Sequence, residues 1–211
     1  HSDNLNVNIT DPDVWVSQIQ GPKSMDLLKV LSKETFPENW KYFDWKEIII
    51  LNEKVIISRS GFSNELGWEI YFRKNNNTEK VGDHILEEGK KMGMILTGTP
   101  GFRCKRIESG LFSAGQDFNY ETNPYDVGLG KYVDLKKNYF IGKSALMTAD
   151  KEKRCWGIRV ENSTALKGTY IKFKNEIVGK VTSSTWSPFQ KCGVGIVLMN
   201  SPKHKPGLIV D

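Results

Sequence analysis

The sequence predicts an α+β protein in two parts: residues 1–149, where strands and helices are mixed, and residues 150–211, which read as a small β-barrel. Three observations predict this. Val14–Gln20 alternates and is rich in β-formers, the mark of a strand. Directly after it, Met25, Leu27, Leu28 and Leu31 recur at helical spacing across residues 24–32. Beyond Ala149 the pattern changes to short strands divided by polar turns, at 155–160, 170–173, 177–182 and 193–198, which favours a small barrel or sandwich. The charged run Lys151-Glu152-Lys153-Arg154 marks the change of pattern.

The remaining elements follow in order. Gly21-Pro22 ends the first strand. Residues 45–51 and 54–60 read as two strands joined by a short turn at Asn52-Glu53, hence a hairpin. A loop rich in Gly, Ser and Asn spans 60–67, and a further strand covers 68–73. Thr78 can cap a helix running to about Met92, with Val81, Ile85 and Leu86 on one face. Thr99-Pro100 resembles an N-cap followed by proline at the first helical position, opening a helix to about Ser113.

Composition narrows the function class. The 211 residues are 38% hydrophobic and 26% charged, an ordinary globular profile, and can bury a sizeable core. There are 30 Lys+Arg against 25 Asp+Glu, a net charge of +5 that favours anionic partners weakly. The basic residues are scattered. The aromatics Trp40, Tyr42 and Trp45 lack the spacing of a base-stacking platform, so a nucleic-acid binder is disfavoured. No apolar run reaches the length of a membrane span. Cys104, Cys155 and Cys192 form no CxxC pair, and read as reduced thiols of a cytoplasmic protein. His1, His84 and His204 have no metal-ligand spacing. The chain starts at His1 rather than Met and ends in strand-like residues 208–211, so both ends look cut.

The most informative stretch is residues 59–71, RSGFSNELGWEIY. Its two glycines let a loop turn tightly and approach a ligand closely. Glu69 and Tyr71 lie two apart on a strand, so their side chains share one face. A carboxylate and a ring on one face suit a flat heterocycle with adjacent N–H donors. The same pair also fits a half-buried strand whose glutamate meets solvent. Arg106 and Glu108 are too close in sequence to share a helical face, which points to capping or loop anchoring. Asn123-Pro124 and Phe140-Ile141-Gly142-Lys143 are turn chemistry and a helix start.

In this order, the pieces resemble the T-protein (aminomethyltransferase) superfamily. Residues 19–23 (IQGPK) are similar to its strand-turn-helix opening. Arg59-Ser60-Gly61-Phe62 through Glu69, Arg106-Ile107-Glu108, Gly115-Gln116-Asp117, Asn123-Pro124, the Phe-Ile-Gly-Lys run, residues 179–183 (GKVTS) and Ser187-Pro188 continue the likeness over nearly the whole chain. The resemblance implies that residues 1–149 are part of a folate-binding domain and that the C-terminal part is the family's barrel. It implies tetrahydrofolate as cofactor, Phe62 lining the pterin or aryl part of the site, and Glu69 accepting from the pterin N–H groups. Tyr71 is similar to an aromatic of the dimethylsulfoniopropionate demethylase branch, and Phe43 is placed nearby.

The family's catalytic aspartate belongs to a region that precedes these motifs, so the resemblance assigns no catalytic residue here. Phe102, beside Arg103, stands where glycine-cleavage enzymes carry an arginine, and Lys131 where a tryptophan is common. These departures resemble the demethylase branch. The expected activity is one-carbon transfer from a small methylated substrate to tetrahydrofolate. The alternatives are a glycine-cleavage aminomethyltransferase with a lipoyl carrier protein as partner, and a non-catalytic folate binder. The iron–sulfur maintenance relatives carry a cysteine signature that Phe140-Ile141-Gly142-Lys143 lacks.

Overall fold

The computed structural model describes residues 6–211; His1 lies outside the described residues. The chain divides into two compact units, one ending at Gly98 and the other beginning at Thr99. The change of sequence pattern at 149/150 lies inside the second unit, between a short helix and the first strand of its sheet.

The first unit runs β1 (Val14–Gln20), α1 (Ser24–Leu31), β2 (Trp45–Ile50), β3 (Glu53–Ser58), β4 (Gly67–Arg73) and α2 (Thr78–Lys91). Its four strands form one antiparallel sheet in the order β1-β4-β3-β2. Alternation along β4 turns Trp68, Ile70 and Phe72 to the face that carries the core, where they pack with Leu27 and Leu28 of α1 and Val81 and Ile85 of α2. Glu69 and Tyr71 face the other way. The hairpin turn falls at Leu51-Asn52, both with positive φ (49° and 69°), one residue earlier than the expected Asn52-Glu53. A two-residue turn with both central residues left-handed matches the twist of the flanking strands, and it puts Ile50 opposite Glu53. The cap of α2 is Asn77, one residue before the expected Thr78; its side chain accepts from the Lys80 N–H at 3.1 Å.

The second unit contains α3 (Thr99–Glu108), α4 (Lys143–Thr148), β5 (Cys155–Val160), β6 (Tyr170–Phe173), β7 (Glu176–Ser187) and β8 (Cys192–Met199). The strands form an antiparallel sheet in the order β5-β8-β7-β6. Among the described residues β5 and β6 are not paired with each other, so the sheet is open rather than the closed barrel expected. At its β6 edge Lys172 and Asp211 exchange two backbone hydrogen bonds, of 2.7 and 2.9 Å. The helix expected to reach Ser113 stops at Glu108. Gly110 turns left-handed (φ 68°), and the chain folds back so that the Leu111 N–H meets the Arg106 carbonyl at 2.9 Å.

That early stop serves a buried ion pair. Arg106 and Asp117 meet at 2.8 Å with side chains 4% and 0% exposed. The guanidinium also donates to the Leu111 carbonyl, Gln116 and Ser183, and Asp117 accepts from the Ser113 N–H and Thr182 Oγ1. Thr182 and Ser183 are adjacent, and regular strands send neighbours to opposite faces. Here a bulge between Val181 and Ser183 breaks the register with β8, so both side chains join the network. Arg106 is thus an anchor for the loops that follow α3, the structural role its spacing suggested.

Removing one charge of this pair leaves the other buried without its partner. Asp117→Asn should therefore destabilise the protein by about 3–5 kcal/mol, whereas Thr182→Val, which removes one hydrogen bond, should cost about 1 kcal/mol. Urea midpoints of the two variants check this; equal losses would show that the ion pair is not what holds the loops.

Candidate functional site

β4 is the strand that presents the site. Opposite Glu69 stand Gln18 on β1 and Ser58 on β3; opposite Tyr71 stand Val16 and Ile56. Cross-strand neighbours share a face, so one row of the open sheet face is polar and the next is apolar with a phenol in it. Glu69 and Tyr71 are both half-buried.

The Glu69 carboxylate accepts three side-chain hydrogen bonds. Oε2 takes the Ser60 hydroxyl at 2.5 Å and the Tyr71 hydroxyl at 2.9 Å, and Oε1 takes the Gln18 amide at 2.9 Å. Three donors from three segments fix both the position and the rotation of this carboxylate. Burial, and then the hydrogen bond to Glu69, push the Tyr71 phenol above the usual tyrosine range, so it remains a donor at neutral pH.

Ser60 belongs to the Gly-rich loop, and Gln20 holds that loop in place. The Gln20 amide donates to the Ser60 carbonyl at 3.4 Å, and its oxygen accepts from the Ser63 hydroxyl at 2.6 Å. The side chain lies where Gly61 and Gly67 have no Cβ: an added Cβ would come within 2.3 Å of Gln20 Oε1 at either glycine. A side chain at either glycine would displace the Gln20 amide from this position.

Phe43 and Phe62 occupy neighbouring segments. Phe43 is the third residue of a tight turn closed by the Asp44 N–H to the Lys41 carbonyl (3.0 Å), and holds φ at 71°, a region that disfavours a bulky side chain. The turn is fastened to the loop before Phe62 from several sides. The Phe43 N–H donates to the Arg59 carbonyl, the Arg59 N–H to the Asp44 carbonyl, the Tyr42 hydroxyl to the Gly61 carbonyl at 2.8 Å, and the Arg59 guanidinium to the Trp40 carbonyl. The Phe43 ring is exposed and meets Tyr42 edge to face at 4.4 Å. Of the four residues singled out in the sequence, Glu69 and Tyr71 touch directly, while Phe43 and Phe62 stand on segments joined through Tyr42 and Gly61. Gln18 was not singled out, and Gln20 and Ser60 stood inside quoted motifs without a role of their own. The alternation of β1, which turns Gln18 to the same face as Val16, is the signal that could have found the first.

A concavity of ≈ 820 Å³ lies in the second unit among Asp117, Glu121, Asp126, Arg154, Lys167 and Lys180. Its buried charges are already matched, Asp117 by Arg106 and Asp126 by Arg154, so volume alone sets it apart. At the Glu69 face, by contrast, the polar groups converge on one carboxylate. All three cysteines are free, and burial pushes the Cys155 thiol up to about 12, which keeps it protonated and unreactive. Among the described residues no cluster of three or more His, Cys, Asp or Glu could hold a metal ion, and no helix is long and apolar enough to cross a membrane.

The chain is similar to known proteins. Residues 1–137 match the family described as the GCVT N-terminal domain. An aminomethyltransferase of Alkaliphilus oremlandii is 30% identical over 209 residues, covering 97% of this chain and 56% of its own length. A probable aminomethyltransferase of Thermococcus gammatolerans is 31% identical, covering 94% and 56%. The crystal structure of glycine cleavage system aminomethyltransferase T from Bartonella henselae superposes with a TM-score of 0.70 at 20% identity, over 88% of this chain and 51% of that one. The last shows the α+β fold. The chain spans about half the length of the curated relatives it matches.

If Gln20 is the reason Gly67 must lack a side chain, the two positions are coupled. Gly67→Ala alone should cost about 1–3 kcal/mol, and much less when Gln20 is already Ala. Denaturant midpoints of the two single variants and the double variant measure the coupling; strict additivity would mean that Gln20 does not fill that space.

Proposed function

Because the chain belongs to the family of the GCVT N-terminal domain, we propose that it takes part in tetrahydrofolate-dependent one-carbon transfer, with Glu69 as the group that receives the pterin edge. One observation carries the proposal: a carboxylate oriented by three donors, beside a phenol, on an open sheet face. A carboxylate offers about four acceptor positions, and Oε1 retains one beyond the Gln18 bond. That position fits one N–H of a flat heterocycle, and an adjacent amino group needs a second position now held by one of the three donors. When bound, tetrahydrofolate would supply the ring nitrogen that accepts the carbon. The chain's own residues would do the holding: Glu69 orients the ring, Tyr71 lies along it, and Phe43 and Phe62 shield the aryl part. Holding a donor carbon and an acceptor nitrogen at attack distance accounts for much of the rate of such a transfer.

The donor we propose is a small methylated compound, handled as in the demethylase branch; the reading rests on Phe102 and Lys131 standing where the glycine-cleavage enzymes differ. Transfer of an aminomethyl group from a lipoyl carrier protein is the second reading, favoured by relatives named aminomethyltransferase. A cytoplasmic place, with no nucleic-acid or membrane partner, belongs to the proposal and rests on three unpaired cysteines and scattered basic residues.

Tryptophan fluorescence titrated with tetrahydrofolate tests the binding half. The unaltered chain should be quenched saturably, and Glu69→Gln, which keeps the shape and loses the charge, should weaken binding about tenfold or more. Quenching indifferent to Glu69→Gln would move the site elsewhere. Methyl transfer from dimethylsulfoniopropionate against aminomethyl transfer from a loaded lipoyl protein separates the two donors.

A further inference from the structure

The hydrogen bonds at Glu69 do not leave room for a forked ligand as they stand. A ring N–H and its neighbouring amino group bind a carboxylate through both oxygens at once, each needing a lone pair. Oε1 has one to give, because among the hydrogen bonds of the described residues Gln18 takes one of its two positions. Oε2 has none, because Ser60 and Tyr71 take both of its positions. One hydroxyl must leave before the fork can form.

The two hydroxyls are not equivalent. Ser60 is 5% exposed and lies at 2.5 Å. Its loop is pinned by Gln20. Tyr71 binds at 2.9 Å from a half-buried ring on the open face, where a released hydroxyl can turn to water. Losing a bond to a buried group costs more than losing one that water replaces. We propose that Tyr71 is an exchangeable hydroxyl on Glu69: it satisfies the carboxylate in the free protein and yields its place on Oε2 to the ligand's N–H, while Ser60 and Gln18 stay and hold the carboxylate in register. This rests on Glu69 being the pterin-binding group. It makes Tyr71 a competitor at its hydroxyl and a partner at its ring, and Ser60 a positioning residue. Whether the exchange occurs depends on the ligand. A donor with a single N–H gains nothing by displacing Tyr71, because it can use the free position on Oε1, whereas a forked donor recovers the lost bond and adds a second.

The test is a set of tetrahydrofolate titrations on the whole chain, unaltered and with Tyr71→Phe, Ser60→Ala and Glu69→Gln, each checked for native circular dichroism. Tyr71→Phe keeps the ring and removes the competing hydroxyl, so it should tighten binding about five- to tenfold. Ser60→Ala should weaken binding, and Glu69→Gln should abolish the difference between Tyr and Phe at position 71. A pterin analogue without the exocyclic amino group has no fork to offer and should bind the Tyr and Phe forms alike. A readout in the ligand-free chain is the ultraviolet titration of tyrosine: the Tyr71 phenol should ionise above the ordinary range and fall back toward it in Glu69→Gln. Weaker or unchanged binding by Tyr71→Phe, with the unaltered chain binding and Glu69→Gln failing to, would overturn the exchange and leave the pterin assignment standing. Absence of saturable binding in both the unaltered chain and Tyr71→Phe would instead bring down the assignment itself, and the exchange with it.

Discussion

The two-residue period of β4 is the constraint on which the first unit depends. One strand has to supply the center of a core and the center of a site, and it does so by sending Trp68, Ile70 and Phe72 to the helices and Glu69 and Tyr71 to the open face. A slip of one residue would exchange these sets completely, placing a carboxylate against Leu28 and three large apolar side chains in water. The buried half therefore fixes the register, and the register delivers the carboxylate. At this strand the packing of the core positions the carboxylate of the proposed site.

The same logic runs through the loop. Gln20, at the end of β1, threads past Gly61 and Gly67 and ties the 60–67 segment to the sheet. Ser60 then reaches Glu69 from the side, and Gln18 from the neighbouring strand. A carboxylate held by three donors has little freedom to rotate, so a ligand meets it already oriented, and less ordering remains to oppose binding. The turn carrying Phe43 is fixed as tightly, at the cost of a left-handed phenylalanine; such conformations persist only where their surroundings enforce them.

Much of this was legible in the sequence where the cause is local. Alternation located β1 to the residue and put Glu69 and Tyr71 on one face, and helical spacing located α1. The misses have non-local or conformational causes. The hairpin turn moved by one residue because Leu51 accepts a left-handed conformation that sequence reasoning reserves for Asn and Gly. The helix ending at Glu108 was read too long because Gly110, two residues on, was not taken as its stop; there the chain turns left-handed and folds back on the Arg106 carbonyl. The bulge that turns Thr182 and Ser183 together leaves no trace in alternation. The second sheet's strands were recognised, except that β7 was read as ending at residue 182 and runs on past its bulge to Ser187; whether the sheet closes depends on the pairing of β5 with β6, which no strand's own pattern encodes. Gln18 went unnoticed and Ser60 was given no role, because a hydroxyl and an amide gain meaning only from the carboxylate they meet.

The central claim is that Glu69 is the carboxylate that meets the pterin. Carbon-13 NMR of the chain labelled at its glutamate side-chain carboxyls, titrated with tetrahydrofolate, tests it most directly. The account predicts that the Glu69 resonance, identified by its loss in Glu69→Gln, moves in step with saturation and further than any other glutamate. Saturable binding with the Glu69 resonance unmoved would contradict the account.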